Sequence, residues 1–242
     1  AGDNSVAGRG VLTVGLKTRP LGPDDLDAIR DLYNQVWGYS RPANYDLWRY
    51  FGSPDGHCPL TGAFEGDRIV GFYSLWPVRL RIGAEIVLGG QSMDTMTHPD
   101  YRGQGIFTML ANECYELAAE QGYRLIYGFP NAFSYPGFVN RLGWTHTGDI
   151  THWVRPLKPS LHRKVPEFIG VIMDSVTGLL PRGRNAGYEI QIGNPPRKFL
   201  EERYIRWAES AAGCGIDRHP DWLSWRYAAQ NQNEHSWVRI YE

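Results

Sequence analysis

The sequence predicts an α/β protein with a mixed sheet, and three observations carry that reading. Three β-like runs, 60–65, 69–82 and 85–97, follow one another with Gly66-Asp67 and Gly83-Ala84 at the turns, the pattern of an antiparallel meander. The last run passes through a glycine-bearing turn, His98 to Phe107, into an amphipathic helix that reads to about Glu120. A β-like run at 124–128, a helical pattern at 132–142 and β-like runs at 145–155 then alternate. A meander feeding a β-α-β-α-β tail gives a sheet with both antiparallel and parallel pairs, covered by helices.

Taken in order, residues 1–10 are polar and glycine-rich and read as a disordered leader. Leu12 to Arg19 alternates as a first strand. Asp24 and Asp25 open a helix to about Val36, with acidic residues in its first turn and Leu26, Ile29, Leu32, Tyr33 and Val36 on one face. A second helix covers about Tyr45 to Phe51 and stops at Gly52-Ser53-Pro54. The domain organisation expected is a leader at 1–10, a main domain at 11–156, a connector at 157–194 and a C-terminal extension at 195–242. Four prolines (156, 159, 166, 181) and a basic cluster of Lys158, His162, Arg163 and Lys164 mark the connector, which carries one helix near Glu167 to Leu180. The extension reads as a helix at 197–212 and a β-like run at 236–241. It also holds an echo: Trp48-Arg49-Tyr50 recurs as Trp225-Arg226-Tyr227, each late in a helical segment and each followed by a polar turn and a β-like run.

Composition narrows the function classes. The chain has 242 residues, enough for a large core. With 42% hydrophobic and 21% charged residues and a net charge of −1, it has the balance of a soluble globule, without a field that draws nucleic acid or an anionic membrane. Cys58, Cys114 and Cys214 are odd in number and widely spaced, so neither a disulfide framework nor a zinc site is expected. A cytoplasmic protein without a metal is the expectation.

The chemistry concentrates in His98-Pro99-Asp100-Tyr101-Arg102-Gly103-Gln104-Gly105-Ile106-Phe107. A strand, a tight turn and a helix start expose unpaired amides at the positive end of a helix dipole, a socket for a phosphate. Gly103 and Gly105 permit positive φ and close approach, and Arg102 adds a fixed charge. A cofactor carrying a pyrophosphate is implied.

Arg102-Gly103-Gln104-Gly105-Ile106 resembles the Arg/Gln-x-x-Gly-x-Gly/Ala signature of the GNAT superfamily, the acetyl-CoA-dependent N-acyltransferases. His98 to Tyr101 matches its lead-in, Leu142-Gly143-Trp144 its late turn, and Asn131 the asparagine after its fifth strand. The resemblance runs from about Leu16 to Arg155 and departs at Phe107, where the family keeps a small residue. It implies a GNAT-like fold with a C-terminal helical and strand extension, the extension resembling the opening of a second such half. It further implies acetyl-CoA as co-substrate, held by Met96, Thr97, Arg102, Gly103, Gln104, Gly105, Ile106, Phe107 and Asn131, with a backbone amide near Met96 facing the oxyanion.

Within that frame Asp94 is the candidate base, a strand carboxylate beside the expected slot whose pKa desolvation would raise. Glu65 and Asp67 are weaker candidates. Val139 stands where the family commonly has its acid tyrosine. Tyr135, one helical turn earlier, is the substitute if Pro136 and Gly137 delay the helix start. His98, His146 and His152 read as structural, and Cys114 as packing. The expected activity is direct transfer to a small-molecule amine, an amino sugar or an antibiotic-like amine by analogy. The alternative is a catalytically silent acyl-CoA-binding module. An ATP-binding loop is disfavoured, because no Gly-x-x-x-x-Gly-Lys-Ser/Thr pattern accompanies the glycines. An unpaired C-terminal strand would invite a second copy, which keeps a homodimer open.

Overall fold

The computed structural model describes residues 15–150, 166–178, 189–192, 195–210, 213–227 and 238–241. The expected leader, the 151–155 part of the late strands, His152 and the basic cluster lie outside them. The chain divides into two compact units, one of Ala1–Thr145 with Asn194–Ser236 and one of His146–Gly193 with Trp237–Glu242.

The first unit is built on a mixed sheet. Its strands are β1 (Lys17–Pro20), β2 (Leu60–Glu65), β3 (Arg68–Ile82), β4 (Glu85–Thr97), β5 (Leu125–Gly128) and β7 (Cys214–Ile216). β1 to β4 pair antiparallel in sequence order, β5 joins β4 in parallel, and β7 joins β3 at Leu80–Ile82. The meander expected from the turn glycines is thus present, and so is the parallel step across the glycine loop. Residues 145–150 form no strand, unlike the expectation for that segment.

Helices cover both faces of this sheet. On one side lie α1 (Leu26–Trp37) and α2 (Ala43–Phe51), on the other α3 (Ile106–Glu120) and α4 (Tyr135–Leu142). Strand alternation divides the core accordingly. Phe72, Trp76, Val78 and Leu80 pack with Ile29, Leu32 and Tyr50, whereas Tyr73 and Leu75 pack with Ile106, Leu110, Cys114 and Phe138. Cys114 fills space, as expected, and burial lifts its thiol to about 12.

The repeated Trp-Arg-Tyr becomes a contact. α6 (Arg197–Ser210) and α7 (Pro220–Arg226) belong to the first unit, and α7 packs on α2. The Trp48 indole N–H donates to the Trp225 carbonyl at 3.1 Å, and the Trp225 indole N–H returns the bond to the Trp48 carbonyl at 3.3 Å. The two rings lie 5.2 Å apart, and Trp76 stands edge-on to both. The Arg49 and Arg226 guanidinium groups lie over the Trp76 ring at 4.6 and 5.1 Å. Equivalent residues of the two copies meet around one tryptophan, and the indole N–H groups of buried Trp48 and half-buried Trp225 each find an acceptor.

In the second unit, α5 (Glu167–Gly178) accompanies a two-stranded antiparallel sheet of β6 (Glu189–Ile192) and β8 (Val238–Tyr241). The C-terminal strand is therefore not left dangling, which removes the observation on which a homodimer was kept open. Its partner is a four-residue strand inside the segment read as connector.

Candidate active site

The site begins where the sheet parts. β4 and β5 pair only from Gly89 with Leu125 to Ser92 with Gly128. Beyond that point β4 continues against β3 alone, and a cavity of about 820 Å³ opens in the first unit. Its walls are Ser92–Thr97 of β4, the loop Tyr101–Phe107, the turn Gly128–Asn131, one face of α4, and Tyr33, Val36, Trp37 and Tyr39 from the end of α1 and the loop after it.

The glycine loop has the expected geometry. His98 accepts the Asp100 N–H through Nδ1 at 3.3 Å and so starts the Pro99–Tyr101 turn. Gly103 and Gly105 have φ of +79° and +81°, a conformation that costs other residues about 1 kcal/mol or more. A Cβ at either glycine would meet nothing within 4 Å, so a cradle lies open beside the loop. Gly105 is the N-cap of α3 and offers no side chain to its first amides, and the first turn holds no acid. Arg102 donates from Nε to the Thr97 carbonyl at 3.4 Å. These features fit the diphosphate of CoA: unpaired amides, space for close approach and a cation at the rim. Gln104 alone of the loop residues from 101 to 107 does not line the cavity.

Phe107, the departure from the small-residue pattern, turns its ring into the α3–α4 interface. It stands edge-on to Phe138 at 5.1 Å and 5.8 Å from Tyr73. Gly137 makes room for it, since a Cβ there would lie 2.9 Å from the ring. The backbone of the cradle is unaffected.

Asn131 lines the cavity, and its Oδ1 accepts the N–H groups of Phe133 and Ser134, both at 3.0 Å. That bond shapes the turn into α4, as asparagine commonly does. The helix starts late, at Tyr135, as the proposed acid role required. Its cavity face, however, is Ser134, Pro136, Gly137, Phe138, Asn140 and Arg141, and neither Tyr135 nor Val139 lines the cavity. The helical period places 135 and 139 on another face, so the expectation that Tyr135 reaches the reacting atoms is corrected.

Met96 is corrected too. The His98 N–H donates to the Val70 carbonyl, and Gly71 pairs with Thr97. Antiparallel alternation therefore aims the Met96 amide at β3 and the backbone of Thr97 at the open edge. The Arg102 bond to the Thr97 carbonyl agrees with this parity.

The largest correction concerns Asp94. Its carboxylate takes Nε of Arg49 at 2.5 Å and Nη2 at 3.0 Å, Nη1 of Arg41 at 3.1 Å and the Tyr50 hydroxyl at 2.9 Å. Burial alone would raise its pKa, but the two guanidinium groups and the phenol outweigh it and hold the carboxyl down to about 2. A carboxylate so paired is a weak proton acceptor, the reverse of the raised pKa expected of a base. Asp94 also has φ of +48°, in a bulge where β4 slips against β3 between Met93 and Met96.

The expectations thus left Arg41, Arg49 and Tyr50 out of the site, although Arg49 and Tyr50 lie in the repeated tripeptide. They also left out a hydroxyl chain. Ser92, on the cavity wall, shares a hydrogen bond with Tyr73 at 2.8 Å, Tyr73 shares one with Tyr115 at 2.8 Å, and the Trp144 indole donates to Tyr115 at 3.1 Å. Burial pushes the Tyr73 and Tyr115 phenols up, so the chain is neutral.

Among the described residues no three His, Cys, Asp or Glu side chains gather as a metal site. No described helix is long and apolar enough to cross a membrane.

No curated protein matches the chain in sequence. A solved structure from Enterococcus faecalis V583, a conserved protein of unknown function and probable N-acyltransferase, shares the fold with a TM-score of 0.60 at 15% identity. The match covers 93% of this chain and 52% of that one, so the chain spans about half that protein's length. An acetyltransferase from Trypanosoma brucei matches 58% of this chain and 99% of its own, at 20% identity and a TM-score of 0.46. AAC(6')-Iy, solved with the bisubstrate analogue CoA-S-monomethyl-acetylneamine, matches 58% of this chain and 97% of its own, at 16% identity and a TM-score of 0.47. Residues 17–147, more than half of the chain, match the family model of the acetyltransferase (GNAT) domain. That span carries the parted strands, the glycine cradle and the cavity, and it places this chain in the GNAT acetyltransferase family.

Proposed function

We propose that the protein transfers an acetyl group from acetyl-CoA to the amine of a small molecule, by direct attack while both substrates are bound. The observation that carries this reading is a single cavity with two different ends. One end is the cradle of Arg102, Gly103 and the first amides of α3; the other is a wall of Tyr33, Trp37 and Tyr39. Arg102 and the amides of Ile106 and Phe107 hold the diphosphate. The pantetheine amides pair with the β4 edge that β5 leaves uncovered, with Thr97 presenting its backbone there. The thioester then lies near the bulge, between the two ends.

The acceptor enters along the aromatic wall, whose ring faces suit the apolar face of an amino sugar. Tyr33 and Tyr39 are joined by a hydrogen bond of 2.6 Å, and the Arg41 guanidinium stacks on Tyr33 at 3.8 Å, so the wall is rigid. With Asp94 held ionised and the Ser92 hydroxyl chain neutral, the acceptor gives up its ammonium proton to water and attacks as its free base; the N–H proton lost as the amide forms passes, through water, to the departing CoA thiolate, which leaves as the thiol.

The test is thiol release from acetyl-CoA across a panel of amines, with the acetylated product identified by mass. Amine-dependent release is expected, steeper above neutral pH as the free-base fraction grows. A second reading, a catalytically silent acyl-CoA-binding module, is favoured by two observations: the Asp94 carboxylate is committed to Arg41 and Arg49, and Tyr135 does not line the cavity. Calorimetric CoA binding without turnover on any amine would establish that reading instead.

A further inference from the structure

We infer that Asp94 is a positioning residue whose ion pairs with Arg41 and Arg49 clamp the β4 bulge, and so fix the backbone of Thr95 and Thr97 where the thioester carbonyl must lie. The inference rests on the transfer reaction proposed above and deepens it.

Three observations support the clamp. Asp94 stands at the throat, two residues past the last β4–β5 pair, and lines the cavity together with Thr95, Met96 and Thr97. Its φ of +48° is uncommon for a residue with a side chain and costs about 1 kcal/mol or more unless the surroundings hold it. The holding groups come from far away in the chain. Arg49 and Tyr50 belong to α2, and Arg41 to the loop before it, 44 to 53 residues from Asp94.

These partners are themselves fixed. Arg41 is buried, ion-paired with Asp46 at 2.9 Å and stacked on Tyr33; Asp46 also takes Arg30 at 2.9 Å. Arg49 donates to the Tyr45 hydroxyl at 3.0 Å and lies over Trp76. The Arg49 side chain does not line the cavity, so it acts on the site through Asp94. The fork of Arg49, binding both carboxylate oxygens, sets the orientation as well as the charge. Strand register, left-handed backbone and buried cations thus converge on one bend, at the place where backbone donors must be preorganised.

The experiment compares wild type with Asp94→Asn, Arg49→Lys and the double variant, each first checked for folding by its thermal melt. Asn tolerates the left-handed conformation and removes the charge; Lys keeps the charge and removes the fork. The expected result is a fall in kcat of about 10- to 100-fold in both single variants, the size of effect that a small misplacement produces. The KM for acetyl-CoA should move much less, the shape of the pH–rate profile should be unchanged above pH ~5, and the double variant should lose no more than the worse single one. Arg49→Lys at wild-type turnover would overturn the inference, as would an Asp94→Asn enzyme whose profile loses its acidic limb, the mark of a base. If wild type acetylates no amine, the transfer reaction fails on its own, and the clamp is read by amide hydrogen exchange. Faster exchange at 94–97 in Asp94→Asn then supports it, and unchanged exchange refutes it.

Discussion

Phe107 and Gly137 offer a test of how the cradle tolerates a ring at a position the family keeps small. Gly137→Ala would place a methyl 2.9 Å from Cε1 and 3.4 Å from Cδ1 of Phe107. The ring cannot step aside freely, because Phe138 and Tyr73 stand against its other faces. Two effects of opposite sign compete. Alanine gains up to about 1 kcal/mol over glycine inside a helix. Overpacking a filled site costs about 1–3 kcal/mol. The net expectation is a destabilisation of roughly 1 kcal/mol, or about 2–4 °C in Tm for a chain of this size. In a Phe107→Ala background the clash is gone, and the same substitution should stabilise by up to about 1 kcal/mol. The pair should therefore show a coupling of about 1–3 kcal/mol in a double-mutant cycle read by urea unfolding. Because only the backbone of residue 107 belongs to the cradle, the double variant should still bind CoA. A Gly137→Ala substitution that raises Tm equally in both backgrounds would refute the reasoning.

Arg102→Ala should weaken CoA binding about tenfold, the scale of one charge-assisted contact at a partly solvated rim, and flatten the salt dependence of Kd; an unchanged calorimetric affinity would remove the diphosphate from this loop. Acid unfolding should report Asp94: a carboxyl held at about 2, against an ordinary 3.8, stabilises the fold above pH ~4 and loses that contribution as pH falls towards 2. The contribution is about 2 kcal/mol, so stability curves of wild type and Asp94→Asn should converge across that window, and parallel curves would contradict the pairing.

What could be read from the sequence and what could not divide along a physical line. The meander, the glycine cradle and the start of α3 depend on residues adjacent in the chain, and their signals are local: turn glycines, alternation, and a helix opened by a glycine with no acid in its first turn. Asp94 is the opposite case. Its place beside the slot follows from strand position, but its pKa is set by Arg41 and Arg49, which pattern reading sees only as a loop arginine and a member of a repeat. Desolvation and ion pairing push a buried carboxyl in opposite directions, so burial alone predicted the wrong sign. Met96 and Tyr135 were misplaced for a different reason, phase. One residue along a strand reverses the direction of an amide, and the helical period turns residue 135 away from the broad face that runs from 136 and 140 through 137 and 141 to 134 and 138. The repeated Trp-Arg-Tyr was legible as a repeat but not as a contact, because nothing in two tripeptides says that their indoles exchange hydrogen bonds.

The same division bears on how such a site changes. The cradle is made of backbone, so a side chain can be altered beside it, as Phe107 shows, provided a neighbour such as Gly137 gives way. Proton handling is made of side chains brought together over long separations, and here those side chains are committed to one another: Asp94 to two arginines, Tyr33 to Tyr39 and Arg41. On the transfer proposed above, such a site would grip the thioester carrier through conformation and leave the acceptor to bring its own basicity. Under that proposal, selection among amines would fall to two properties of the acceptor, the fit of its apolar face to the Tyr33–Trp37–Tyr39 wall and the fraction present as free base at working pH. An amino sugar whose amine has a low pKa would meet both conditions, whereas a strongly basic amine would first have to lose a proton that Asp94, paired with Arg41 and Arg49, is not free to take.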